Sequence, residues 1–165
     1  MPTAMADYER STAATHLDAL PERVRAAVYE RATETQLTVA ADAPAFLTHS
    51  RRLRKPGLFA RVTGTADKDE EHLTALVLGE RDVIVATYGE QRGTAVLTAR
   101  LEDVDVGSPL DSRAAAQGDE GVTVTGFPVS IEGGSGRGSF FFGLGAPDGD
   151  AALEALLEAV RRAKS

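Results

Sequence analysis

The stretch from Leu73 to Val106 constrains the fold more than any other part of the chain. It holds two dense apolar runs, Ala75-Leu76-Val77-Leu78 and Val83-Ile84-Val85-Ala86, split by Gly79-Glu80-Arg81-Asp82. A third run, Thr94 to Leu101, follows Tyr88-Gly89-Glu90-Gln91-Arg92-Gly93, and a short fourth is Val104-Asp105-Val106. Short runs of β-branched and aliphatic residues bounded by glycine and charged turns are strand signals. Several in succession predict a β-meander.

The flanks supply helices and more strands. Met1 to Thr12 carries small and polar residues without a usable period, so residues 1–14 read as a flexible end and residues 15–165 as a single domain. Between Thr15 and Thr35, Leu17, Leu20, Val24, Ala27 and Val28 recur at helical steps and form one apolar stripe. Pro21 belongs in a first helical turn, so the helix proper starts there or a short helix precedes it. Gln36 to His49 reads as extended, with Pro44 at an edge or in a turn. Asp67 to His72 reads as an acidic hinge.

Gly107 to Gly121 has no apolar period and reads as a loop. Val122 and Val124 then alternate with threonines, and Phe127, Val129 and Ile131 continue the alternation on the other parity. A one-residue slip sends side chains to the opposite face, so a bulge is expected at Gly126. Gly133 to Gly138 reads as a glycine-rich hairpin turn and Ser139 to Leu144 as a strand, with Phe140, Phe142 and Leu144 on one face. Asp150 is a plausible N-cap for a helix of about 150–164, in which Leu153, Leu156, Leu157 and Val160 stand at i, i+3, i+4 and i+7.

Composition narrows function mainly by exclusion. The 165 residues include no cysteine, which removes disulfides, thiolate metal sites and thiol nucleophiles and fits a cytoplasmic protein. Met1 to Arg10 lacks an apolar run flanked by basic residues, so no signal peptide is expected, and the apolar runs are shorter than a membrane helix needs. The formal charge is -7, there is no tryptophan, and aromatic content is 5%, so no nucleic-acid partner is expected of this acidic protein.

The element order is helix, strand, basic loop, meander, loop, three more strands and a C-terminal helix. With four stretches it resembles the bacterial pleckstrin-homology-like (PH-like) family. Leu76 to Val85 looks like that family's strand–turn–strand. Ala99-Arg100-Leu101-Glu102-Asp103-Val104-Asp105-Val106 looks like its strand running into a bend. Ser139 to Leu144 looks like its final strand, and Asp150 to Arg162 like its capping helix. The resemblance implies an α+β, mainly β, fold. That fold is a partly open barrel or sandwich of about seven strands, capped by the C-terminal amphipathic helix and extended by an N-terminal one. The family is known chiefly as a fold, so the resemblance carries over no catalytic residue.

One local anomaly is a candidate site. Between Ala43 and Ala66 there are five cations and no acid, so the rest of the chain carries -12. Arg51, Arg52, Arg54, Lys55 and Arg61 are interleaved with apolar residues that include Leu58 and Phe59. Such a loop suits a protein partner, a second copy, or an anionic membrane surface, where each cation contributes about 1 kcal/mol. The bland alternative is a solvated loop whose cations pair with Asp67, Asp69, Glu70 and Glu71. His16, His49 and His72 lack metal-ligand spacing. The glycines at 133–138 lack both the lysine and the following helix of a phosphate loop. No catalytic group, metal or cofactor is therefore expected. The sequence points to a non-catalytic binding or scaffolding module of unknown partner. A small-ligand-binding β-barrel protein or enzyme and a weak peripheral membrane binder are the alternatives.

Overall fold

The two dense apolar runs are adjacent strands covered on both faces, and that double burial is why they lack polar alternation. A computed structural model describes residues 8–53, 69–107, 121–131 and 133–165. The order is β1 (Tyr8–His16), a 3-10 turn (Leu17–Ala19), α1 (Glu22–Glu34), β2 (Pro44–Arg52), β3 (Glu71–Leu78), β4 (Asp82–Gly89) and β5 (Gly93–Arg100). A second 3-10 turn (Leu101–Asp103) leads to β6 (Asp105–Val106), β7 (Gly121–Ile131), β8 (Gly134–Gly143), β9 (Ala146–Pro147) and α2 (Gly149–Lys164).

The main sheet has six strands in the order β5-β4-β3-β2-β1-β9, and a second sheet has the order β6-β7-β8. All described pairings are antiparallel except β1 with β9. On one face of the main sheet Ala75, Val77, Ile84 and Ala86 pack against Leu17, Leu20, Val24 and Val28 from α1 and the turn before it. On the other face Leu76, Leu78, Val83 and Val85 share a core with Phe127 and Phe142 of the small sheet and with Leu156 and Val160 of α2. The molecule is α+β and mainly β, arranged as helix, main sheet, then small sheet with helix.

Several expectations are corrected. The described strands form no closed barrel; the main sheet is open, with β5 and β9 at its edges. The expected seven strands are nine among the described residues. The N-terminal segment is not frayed over residues 8–14. It forms β1, which lies between β2 and β9, and Thr12 is fully buried there. Hydrophobic periodicity missed this strand because hydroxyls do the work of apolar groups. Thr12 and Thr48 bond through their side-chain oxygens at 2.8 Å, and Thr12 Oγ1 accepts from Gly145 N at 3.0 Å.

The N-terminal helix is shorter than the expected 15–35 because Thr15 and His16 belong to β1 and Pro21 stands just before the helix. The extended reading of Gln36 to His49 holds only from Pro44, which begins β2 and so needs no ladder N–H of its own. Glu71 and His72 lie inside β3 rather than in a hinge. Most of the glycine-rich stretch is strand: β8 begins at Gly134 and pairs with β7 as far as Ile131. α2 presents Ala152, Leu156, Ala159 and Val160 inward, whereas Leu157 is 40% exposed. Asp150 is not its cap. Asp148 precedes the helix, and its carboxylate accepts from Ala14 N of β1 at 2.7 Å.

The expected bulge is present between Thr125 and Phe127. Gly126 has φ +123, and a Cβ there would lie 2.4 Å from the carbonyl oxygen of Asp103. Glycine is required on both counts.

Candidate functional site

Charged groups gather at both ends of the main sheet, and the register decides what each set can do. Arg51 and Arg52 close β2. In the sheet Arg51 stands opposite Glu9 of β1 on one side and Glu71 of β3 on the other. Its guanidinium pairs with the Glu9 carboxylate, and that hydrogen bond is the main reason its pKa is raised. His49 lies 3.5 Å from the same Glu71. Arg52 continues the ladder by donating its N–H to Glu70 O at 2.8 Å. Arg54, Lys55, Leu58, Phe59 and Arg61 lie outside the described residues, as does Asp67.

Asp69 has its described partners on another element. It is buried at 3% exposure, where its carboxylate closes the β4–β5 hairpin. It accepts from Gln91 N at 2.7 Å, Arg92 N at 3.0 Å and Arg92 Nε at 3.2 Å. The N–H of Gln91 is the largest single influence holding its carboxyl below the usual carboxylate range; burial opposes the shift, and the Arg92 groups add to it. Gly89 makes the close approach of this carboxylate possible, since a Cβ there would sit 2.2 Å from Asp69 Oδ2.

The opposite end of the sheet is built differently. Gly79 N donates to Asp82 O at 2.8 Å and tightens the β3–β4 turn, while Leu101 N donates to Arg81 O at 2.8 Å and ties the second 3-10 turn to it. Buried Leu101 anchors this corner. The last turns of α2 pass over it with Ala159 and Ala163, whose short side chains leave the space unfilled. The result is a cleft of about 380 Å³, lined by these two alanines, Leu101, Gly79, Arg81, Arg100, Arg162, Glu80 and Glu102.

Three arginines and two glutamates thus share one hollow. Arg100 pairs with Glu102 at 3.1 Å. Among the described residues neither Arg81 nor Arg162 has an ion-pair partner. Asp82, opposite Arg100 in the ladder, has its carboxyl pushed up by burial, against the opposing pull of Arg100 and Arg81. Lys164 holds Asp105 at 2.7 Å and fixes the end of α2 against β6.

Sequence reasoning missed this cleft. Arg81 reads as a turn residue, Arg100 and Glu102 as part of a strand-to-bend pattern, and Arg162 as a favourable charge at a helix C-terminus. The available signal was Ala159 and Ala163 four residues apart on one side of α2, where larger residues would have filled the space. Among the described residues no helix is long and apolar enough to cross a membrane. No protein-family model, curated protein or solved structure matches the chain.

Proposed function

We propose that the protein is a non-catalytic binding module that engages an anionic group of its partner in the cleft between the β3–β4 turn and the end of α2. The observation that carries this reading is the pair Arg81 and Arg162, two guanidiniums at one apolar-floored hollow without carboxylate partners among the described residues. A guanidinium stays protonated throughout the physiological range, so it binds and orients but exchanges no proton. Its planar donor fork matches a carboxylate or a phosphate. The cleft lies at the small end of ligand-site volumes, which suits one anionic group with a short apolar stem. The PH-like resemblance fits a module of this kind and remains part of the proposal, as does a cytoplasmic location. The basic loop at 51–61 is a second contact surface in the same proposal. Of its cations, Arg51 is already engaged by Glu9.

The test is a titration with inorganic phosphate, read from the Nε–H signals of the arginines by NMR. Shifts are expected at Arg81 and Arg162, and the shift at Arg81 should be weakened about tenfold or more by Arg162→Glu. An absence of shifts in the wild type, or equal shifts at every surface arginine, would sink the assignment.

A further inference from the structure

The cleft at the turn end of the sheet is lined by charges of both signs. Arg100 and Glu102 close on each other at 3.1 Å. Among the described residues the side chains of Glu80, Arg81 and Arg162 have neither an ion pair nor a hydrogen bond. Glu80 is exposed in the two-residue turn between Gly79 and Asp82, directly before Arg81. The floor is apolar: Leu101 and Ala159 are buried and Ala163 is half-buried.

With Arg100 and Glu102 paired, two cations and one anion are left open. A simple anion answers Arg81 and Arg162 but brings its charge toward Glu80, and an unanswered like charge discriminates against such a ligand. A ligand that carries an ammonium beside its anionic group answers all three. The three arginines and two glutamates give the lining a net charge of +1. A phosphate monoester above its second pKa of about 6 carries about -2, and an ammonium on the same stem brings the ligand to about -1. Consecutive Cα atoms lie about 3.8 Å apart, so Glu80 and Arg81 require only a short stem between the two ligand charges. The volume of about 380 Å³ agrees with a ligand of that size. None of the described lining residues is aromatic, so a quaternary ammonium would lack the ring faces that hold it elsewhere. An ammonium with N–H donors suits a carboxylate.

We infer that the cleft takes a small zwitterion, an anionic group and a primary ammonium joined by a short carbon stem, and that Glu80 receives the ammonium. Arg81 and Arg162 hold the anionic group, and the stem lies over Leu101 and Ala163. The inference rests on the anion-binding reading of the same cleft and adds Glu80 as the residue that decides which anion is preferred.

The probes are aminoethyl phosphate and propyl phosphate, which have the same length and differ in ending on an ammonium or a methyl group. Each is titrated against the full chain slightly above neutral pH, and affinity is read from the Nε–H signals of Arg81 and Arg162. Aminoethyl phosphate should bind about tenfold tighter than propyl phosphate. Glu80→Gln should bring the two to within about twofold of each other without weakening propyl phosphate. Glu102→Gln frees Arg100, so it should tighten both ligands and keep their ratio. The inference is overturned if the two compounds bind the wild type equally, or if their ratio survives Glu80→Gln. A ratio that disappears in Glu102→Gln overturns the choice of Glu80. Propyl phosphate shifts at Arg81 and Arg162 with no advantage for the ammonium would remove the zwitterion and leave the anion site in place. An absence of shifts with either compound would remove both.

Discussion

The two ends of the main sheet use the same residue types to opposite effect. At the hairpin end Asp69 is buried against backbone donors, and Arg51 stands in register between Glu9 and Glu71. At the turn end, about 25 Å away along an eight-residue strand, Arg81 and Arg162 come from a turn and a helix end, where no register supplies a carboxylate. Cross-strand pairing therefore consumes charge in the first region, and its absence leaves charge available for a ligand in the second.

The largest effect should come from breaking the closed end. Asp69→Ala leaves the N–H groups of Gln91 and Arg92 without their acceptor in a buried site, and a loss of several degrees in melting temperature is expected. Gly89→Ala drives a methyl into the same carboxylate and should approach that loss. If both variants melt like the wild type, the hairpin end is not held by Asp69.

Acid should act on the same group. Its folded-state pKa lies below the unfolded value of about 3.9, so its contribution is fully present above that value. The contribution disappears as pH falls from there through the folded-state pKa. The acid limb of a melting-temperature profile should consequently flatten in Asp69→Asn. A wild-type profile with an unchanged slope in that variant would count against the assignment.

The open end should separate binding from stability. Ala163→Leu pushes a branched side chain toward the cleft from a half-buried position, and phosphate shifts at Arg81 should drop about tenfold or more while the melting temperature moves little, since overpacking is relieved by an open space. Unchanged phosphate binding would mean that the anion sits elsewhere. The smallest effect belongs to Glu9→Gln. Both side chains of the Glu9–Arg51 pair are more than half exposed, and such pairs add little. Calorimetry should register no resolvable shift, and a drop of several degrees would show that the two ends differ less than the geometry implies.

What could be read from the sequence follows from how each element is buried. β3 and β4 were legible because both faces are apolar, and the parity flip at Gly126 was legible because alternation records which face a side chain takes. β1 was not, because its central contact is a pair of threonine hydroxyls. The second half of β8 was legible from Ser139 onward, but its first half from Gly134 was not, because glycine carries no side chain to pattern. Asp69 is adjacent in sequence to the basic loop it was expected to neutralise, yet in space its described partners are on the β4–β5 turn. The cleft escaped notice because it depends on side chains from three distant elements and on the smallness of Ala159 and Ala163.

The parallel pairing of β1 with β9 has a consequence for synthesis. Ser11 and Thr12 take Ala146 and Pro147 as neighbours, and Ala14 N waits for the carboxylate of Asp148. A ribosome makes Ala14 134 residues before Asp148. Until those partners emerge one flank of β1 lacks them, and contacts of such long sequence separation form late. Its small hydroxylated side chains, Ser11, Thr12 and Thr15, suit a nascent segment that must stay wet until β9 and Asp148 arrive.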